Sequence, residues 1–553
     1  MNAPSRKPFL AAGVIAASVA ALALPAAASA TVTVDASGSP IVFQGDVADD
    51  NLVLSVSGGK IAHNLPLAQG FASATDLDPV TPGTQDADVA GANIVVRGGA
   101  GNDTLNASAL GNSYNSLEIQ GEAGDDLVTG GGKGDTLGGG DGDDRVVGDK
   151  GGDVMSGGAG NDVLVWNNGD GSDTMDGDGG NDEIEVNGSA TAGDEFTIVP
   201  GANGRTKFDR VNLVPFTLDT LAERMTVNGL GGDDKATGAA GLAGRTLLTL
   251  NGNAGVDTLT GGDGPDRISG GEANDVLDGG AGDDRITGDR GNDQMLGGPG
   301  DDELEWNNGD GSDTAIGGDG ADLVRVNGSA TQGDAMEVAP NGQGIRFQRT
   351  NLVPFTIDLD TERIEMNGLG GDDTIAAKPG LAGRLGVLAD GGSGDDRIEV
   401  RNGAPDSVEG GSGTDSAVVD LADAVADVES VDRPPRSIAS IGGQARIVHR
   451  GHRFVAVFHV SSPAGAESDS TGKLRLSTAK AIRIAGVKVR VDLGSRRFDV
   501  APGATDEVRV KLPAKASSLA KHGKLRVHAV ASSEEGGSLT ETARNLTLRF
   551  PRG

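Results

Sequence analysis

The sequence contains no cysteine, which excludes disulfides, thiolate metal sites and a cysteine nucleophile together. Aromatic residues are nearly as scarce, with 12 Phe, 2 Trp and 1 Tyr in 553 residues. A compact core of enzyme size leans on aromatic area, so one large conventional enzyme fold is not expected. Positive charge is in deficit: 46 Lys and Arg face 81 Asp and Glu, a net charge of −35. Phosphates are repelled by so acidic a chain, which argues against nucleic acid as a partner. After the first 30 residues no apolar run approaches the ~18 residues of a membrane span, so the mature chain is expected to have none. Neither HExxH nor GxSxG occurs, which removes two common hydrolase signatures.

Glycine is what the chain has in excess. Its 92 residues are about 17%, against an average near 7%. They do not recur at every third position with abundant proline, so collagen is excluded. The acidic charge is concentrated. Residues 31–432 hold 72 Asp and Glu against 22 Lys and Arg, whereas residues 433–553 hold 9 against 22. An acidic stretch of this density needs counter-charge if it is to fold compactly.

The first thirty residues read as an export signal. Arg6 and Lys7 precede an apolar run from Phe9 to Leu24, and Ala28-Ser29-Ala30 is a small-residue cleavage site. The mature chain is expected to begin at Thr31 and to work outside the cytoplasm, secreted or at the cell surface.

Internal repetition dominates the rest. Cut every nine residues from Gly121, the chain reads GEAGDDLVT, GGGKGDTLG, GGDGDDRVV, GDKGGDVMS, GGAGNDVLV. The sixth position is always Asp: Asp126, Asp135, Asp144, Asp153 and Asp162. The eighth is always aliphatic or Met. A second block from Gly252 repeats this with Asp257, Asp266, Asp275, Asp284, Asp293 and Asp302. Outlying copies place Asp103, Asp173, Asp182, Asp233, Asp313, Asp322, Asp372, Asp396 and Asp415 at the same position, with Asn168, Asn228, Asn308 and Asn367 standing for the first Gly. The blocks are themselves duplicated. Trp166 and Trp306 each open WNNGDGSDT, and NLVPFT begins at Asn212 and Asn351. Each Trp is expected to cover the open end of a coil stack.

The spacing has a physical reading. Glycines at positions one, two and four let the backbone turn tightly and aim carbonyl oxygens beside the position-six carboxylate. Hard oxygen ligands of this kind suit Ca²⁺. Positions seven to nine form a short strand with its middle residue in a thin core. One nonapeptide is then half a coil, and residues eighteen apart stack. Asp126–Asp144–Asp162 should follow one edge and Asp135–Asp153 the other. Asp257–Asp275–Asp293 and Asp266–Asp284–Asp302 should do the same in the second block.

This register, GGxGxDxUx, resembles the RTX, or haemolysin-type, calcium-binding nonapeptide family. The resemblance implies a parallel β-roll with Ca²⁺ between its turns. Eleven in-register rows carry it, and the nonapeptides with their outliers run from Gly98 to about residue 418. The toxin, protease and type I secretion associations of that family are not carried over, because this chain has an N-terminal signal and a basic C-terminal part. Lys133 and Ala273, in place of the fourth Gly, are expected to weaken their turns.

The expected fold is all-β: parallel β-roll repeats in two duplicated blocks with a C-terminal β-sandwich. Its parts are a signal peptide (1–30), a β-rich N-terminal cap (31–97), a first block (98–250) with an insert at 186–227, a second block (251–432) with an insert at 326–366, and a basic sandwich (436–553). The inserts read as short strands lying beside or over the coils. His449, His452 and His459 cluster, but their basic neighbours favour an exposed face over a metal site. The functional expectation is an exported, non-enzymatic protein that folds on extracellular calcium. The alternatives are a calcium-stiffened adhesin, whose basic domain holds an anionic cell-surface polymer, and a secreted enzyme whose site has no recognised motif.

Overall fold

The computed structural model describes residues 32–35, 39–64, 84–433, 440–450, 453–462, 470–479, 482–484, 487–489, 492–501, 504–513, 524–535 and 538–549. The signal peptide, Pro434-Pro435 and His452 lie outside the described residues. The chain divides into two compact units, residues 1–187 with 200–226, and residues 188–199 with 227–553. This division falls inside the first insert.

In the first unit, three-residue apolar stretches after each Asp become parallel strands. Leu127–Thr129, Arg145–Val147, Val163–Asn167 and Glu183–Asn187 form one ladder, in which Val128 faces Val146, Val146 faces Leu164 and Leu164 faces Ile184. Ser116–Ala123, Thr136–Asp141, Val154–Ala159 and Thr174–Gly179 form the other, with Leu137 opposite Met155 and Met155 opposite Met175. The step is eighteen residues within the clean repeats, as the repeat predicts, and twenty at Met155–Met175 and Leu164–Ile184. Val128, Leu137, Val146, Met155 and Leu164 are all buried, each worth about 1.5–3 kcal/mol of apolar transfer. The core between the ladders is one such side chain wide at the three-residue strands Leu127–Thr129 and Arg145–Val147, and wider at Ser116–Ala123, Val163–Asn167 and Glu183–Asn187, where Ile119, Trp166 and Val186 are also buried.

The N-terminal residues join the same stack. Ile41–Gln44 pairs in parallel with Asn93–Ala100, and Asn51–Ser57 with Thr104–Ala109. The insert also enters it. Phe216–Leu221 pairs in parallel with Thr174–Gly179 and antiparallel with Thr206–Arg210.

The second unit repeats the arrangement. One ladder runs through Leu247–Ala254, Arg267–Glu272, Arg285–Arg290, Glu303–Trp306, Leu323–Asn327, Arg363–Asn367 and Gly386–Asp390. Its insert is a meander: Ala335–Asn341 and Phe355–Asp360 each pair antiparallel with Gly344–Arg349. Phe355–Asp360 then extends Thr314–Asp319 in parallel, and Ala335–Asn341 extends into Thr374–Ala377. The inserts are therefore built into the ladders and do not lie beside or over them.

The C-terminal part forms two larger antiparallel sheets. One orders Ser440–Arg450, Arg453–Ser461 and Thr505–Lys511, and the other orders Asp492–Val500, Ser470–Thr478, Lys524–Glu535 and Ser538–Arg549. Phe458 and Val510 from the first sheet and Leu474, Val527 and Leu548 from the second share one buried core. This is the sandwich the alternating strands predict.

The tryptophans correct one expectation. Trp306 pairs with Val326 one coil on, so it lies within the stack and closes no end. It is 1% exposed, stacks on Phe355 with ring centroids 3.7 Å apart, and has the Arg349 guanidinium 5.3 Å from its ring. Trp166 has the same surroundings, with Phe216 at 3.8 Å and Arg210 at 5.3 Å. Neither ring has a free face for a sugar. Trp306→Ala should lower stability by roughly 3–5 kcal/mol, read as a drop in thermal midpoint with calcium held constant.

Candidate metal sites

Most turns start on a glycine whose missing side chain makes room for a carboxylate, whereas the Asp173 and Asp313 turns start on Asn168 and Asn308. A Cβ on Gly121 would lie 2.1 Å from Asp126 Oδ2 and 2.5 Å from the Gly139 carbonyl oxygen. Gly252 shows the same pair, Asp257 Oδ2 at 2.2 Å and the Gly270 oxygen at 2.4 Å. A carboxylate oxygen and a carbonyl oxygen of the next coil thus crowd one point in turn after turn.

The Asp side chains are linked in ladders. Each backbone N–H donates to Oδ1 of the Asp one coil on: Asp103 to Asp126 at 2.7 Å, Asp126 to Asp144 at 2.7 Å, Asp144 to Asp162 at 2.8 Å, and Asp162 to Asp182 at 2.9 Å. On the other edge Asp135 donates to Asp153 and Asp153 to Asp173, both at 2.8 Å. In the second unit the series are Asp257–Asp275–Asp293–Asp313 and Asp266–Asp284–Asp302–Asp322. Asp396 donates to Asp415. Eighteen of the twenty sequence-predicted residues are therefore buried members of these rows.

Two are not. Asp233 and Asp372 are exposed, and their neighbours Asp234 and Asp373 occupy the row. The turn begins at Gly229 and Gly368, whose added Cβ would meet Asp234 and Asp373 Oδ2 at 2.2 Å each. Asn228 and Asn367 thus precede the turn and do not replace its first Gly. Sequence reasoning also missed Asp50, Asp194, Asp334, Asp406 and Asp423, all buried in the same kind of linkage. Glu223, Glu362 and Glu429 accept the last N–H of three rows, from Asp182, Asp322 and Asp415. Of the two weakened turns expected, Ala273 does sit at φ 91°, while Lys133 avoids the left-handed region.

Oδ1 is satisfied in these rows; Oδ2 is engaged at Asp135 and Asp266, which begin two of them, but mostly not beyond. Among the described residues, seventeen Asp Oδ2 atoms are buried without a hydrogen-bond partner, Asp126, Asp144, Asp162, Asp257, Asp275 and Asp293 among them. An unpaired buried carboxylate is strongly disfavoured in its charged form. Burial, reinforced by the Asp173 carboxylate, pushes Asp153 up to about 8. Asp293 is likewise pushed up to about 8 by burial, with Asp313 and Asp275 adding to it. Asp126, Asp144, Asp284 and Asp373 are raised to about 7, also chiefly by burial. Among the described residues no three His, Asp or Glu side chains converge as a metal cluster. Each turn instead presents one carboxylate among carbonyls. This all-oxygen donor set fits Ca²⁺, which takes six to eight oxygen ligands including backbone carbonyls.

His459 is exposed, with Glu507 3.8 Å away. Among the described residues, no helix is long and apolar enough to cross a membrane.

A family model described as RTX calcium-binding nonapeptide repeat matches residues 95–109, 118–137, 138–165, 168–188, 251–285, 269–304 and 308–329. No curated protein matches the chain.

Proposed function

From RTX calcium-binding nonapeptide repeats between residues 95 and 188 and between 251 and 329, we propose that the chain is an exported, non-enzymatic protein whose rolls fold on extracellular calcium. The rows of unpartnered, buried Oδ2 atoms carry this reading. They are the atoms a bound cation would satisfy, and they recur at the turn that the repeat specifies. Asp126, Asp144 and Asp162 would hold ions along one edge of the first unit, with Asp257, Asp275 and Asp293 their counterparts in the second. Extracellular modules of this kind work at roughly 10⁻⁴–10⁻³ M calcium. Equilibrium dialysis of the mature chain in that range should show several bound ions. Sequencing of the protein recovered from culture medium should find Thr31 at its N-terminus. Retention in the cytoplasm with residues 1–30 intact would refute export.

A second reading, a calcium-stiffened adhesin, draws support from the C-terminal sandwich. On its four-stranded sheet Lys473, Arg475, Arg497, Lys524, Arg526 and Arg549 are all exposed, and their strands lie side by side. Such a face suits an anionic polymer. Residues 436–553 contain no nonapeptide and bury their own core, so this fragment should keep its β signal in EDTA. Capture of the fragment on anionic cell-wall polymer, abolished by high salt, would favour the adhesin.

A further inference from the structure

The row carboxylates are not equivalent. Most have an unpartnered Oδ2, but those that begin a row do not. A first carboxylate has no Asp N–H from a preceding coil to engage it, and here the chain supplies other donors. We propose that Asp135, Asp334 and Asp406 hold no calcium because the chain's own groups close their turns, and that ions are confined to turns whose Oδ2 is unpartnered. This rests on the calcium reading above and adds to it which carboxylates bind.

Asp135 shows the closure most fully. The hydroxyl of Tyr114 lies 2.8 and 2.9 Å from its two oxygens, and the Gly131 N–H donates to Oδ2 at 2.7 Å. The ring fills the turn: a Cβ on Gly131 would meet the Tyr114 hydroxyl at 2.5 Å. Lys133, the residue that departs from the repeat, secures the ring. Its N–H donates to the Tyr114 hydroxyl oxygen at 3.0 Å and its Nζ to the Tyr114 carbonyl at 2.5 Å. A tyrosine hydroxyl is protonated at neutral pH, so it serves as a donor to the carboxylate.

Asp334 is closed by a resident cation. Arg349 places its guanidinium 3.2 Å from Asp334 Oδ1, and both side chains are inaccessible, at 2% and 0% exposed. The Ser329 N–H donates to Oδ2 at 2.6 Å. Asn308 Oδ1 accepts from the same guanidinium at 2.7 Å, so the arginine is fixed in place. Asp406 takes the Val387 N–H on Oδ1 at 3.1 Å and the Asn402 amide on Oδ2 at 2.7 Å. In each case both oxygens are engaged before any ion arrives, and at Asp334 a positive charge already faces the carboxylate.

The test counts calcium ions per mature chain, by equilibrium dialysis at saturating calcium followed by elemental analysis. Asp135→Asn and Asp406→Asn should bind as many ions as the unsubstituted protein. Asp144→Asn and Asp275→Asn should each bind at least one fewer. An ion lost from Asp135→Asn or Asp406→Asn, or none lost from Asp144→Asn and Asp275→Asn, overturns the proposal. Terbium luminescence gives a second readout. Tyr114 is the one tyrosine in the chain and touches Asp135, so an ion there would be sensitised through it. Terbium emission should be the same in Asp135→Asn as in the unsubstituted protein, and a loss would place an ion in the closed turn. Unsubstituted protein that binds no calcium at all overturns both this proposal and the reading it rests on.

Discussion

In EDTA, the β signal of residues 98–418 should be stronger at pH 5 than at pH 8. The sign follows from the carboxylates. Without metal, burial raises Asp103, Asp162, Asp275 and Asp302 to about 6, Asp144 and Asp284 to about 7, and Asp153 and Asp293 to about 8. In the unfolded chain the same groups titrate near 4. The folded roll therefore binds more protons than the unfolded chain between about pH 4 and pH 8, and its metal-free stability falls as pH rises through that window. Below it both states are protonated and the penalty is absent. Above it every buried carboxylate is charged against its neighbours. Calcium should reverse the trend, because ligand carboxylates must be deprotonated to bind it. Calcium affinity should then weaken on acidification from pH 8 to pH 5. Far-ultraviolet circular dichroism across this range, with and without calcium, reads both effects. A metal-free roll that gains stability as pH rises would contradict the account.

Gly142→Ala should be among the most damaging single changes in the repeats. Gly142 sits at φ 137°, and an added Cβ would lie 2.2 Å from the carbonyl oxygen of Gly124 one coil below. That oxygen belongs to a stacked turn and cannot swing aside as a side-chain tip could. Backbone strain of about 1–3 kcal/mol then adds to an overpacking loss of about 1–3 kcal/mol. Gly169→Ala is the comparison. Its φ of 108° is also left-handed, but nothing lies within 4 Å of the added methyl. It should therefore lose the strain alone, roughly 1–3 kcal/mol. Denaturant midpoints at fixed calcium separate the two. Equal losses would mean that the coils are not stacked at the Gly142–Gly124 approach.

The nine-residue spacing made the stack readable because one residue in nine does one job. Leu137 faces Met155 and Met155 faces Met175 since the aliphatic position recurs with the turn, and Asp126, Asp144 and Asp162 align for the same reason. Register failed where Asn228 and Asn367 stood for the first Gly. The turn starts one residue later, at Gly229 and Gly368, so the inward carboxylate five residues on is Asp234 or Asp373. Asp194 and Asp334 escaped because their turn is one residue longer: Gly188 meets the carboxylate six positions on, where Gly121 meets it five on. Glu223, Glu362 and Glu429 reach the same N–H with a longer side chain and no glycine signature. The inserts misled because alternating strands look alike whether they pair within the ladder or pack against it. Only the pairing of Thr314 with Asp358 places Phe355–Asp360 in the stack. The tryptophans were misplaced for a related reason. Each follows the last row of an unbroken run, and the next turn opens on Asn168 or Asn308 in place of glycine, so the run reads as ended where the stack in fact continues.

Calcium added to EDTA-treated mature protein at pH 7.5–8 tests the central claim most directly. In the clean repeats the apolar rows are one residue wide, too thin to offset the ordering of so much glycine, and the charged Oδ2 rows oppose folding until a cation satisfies them. Ion binding is then folding free energy, and neighbouring turns share it. Titration over roughly 10⁻⁴–10⁻³ M calcium should produce a cooperative gain of β signal together with a smaller hydrodynamic radius. Magnesium should substitute poorly, because it demands a tighter octahedral shell and keeps its waters. Metal-free repeats that are already compact and β-rich at this pH, or magnesium that serves as well as calcium, would contradict the account.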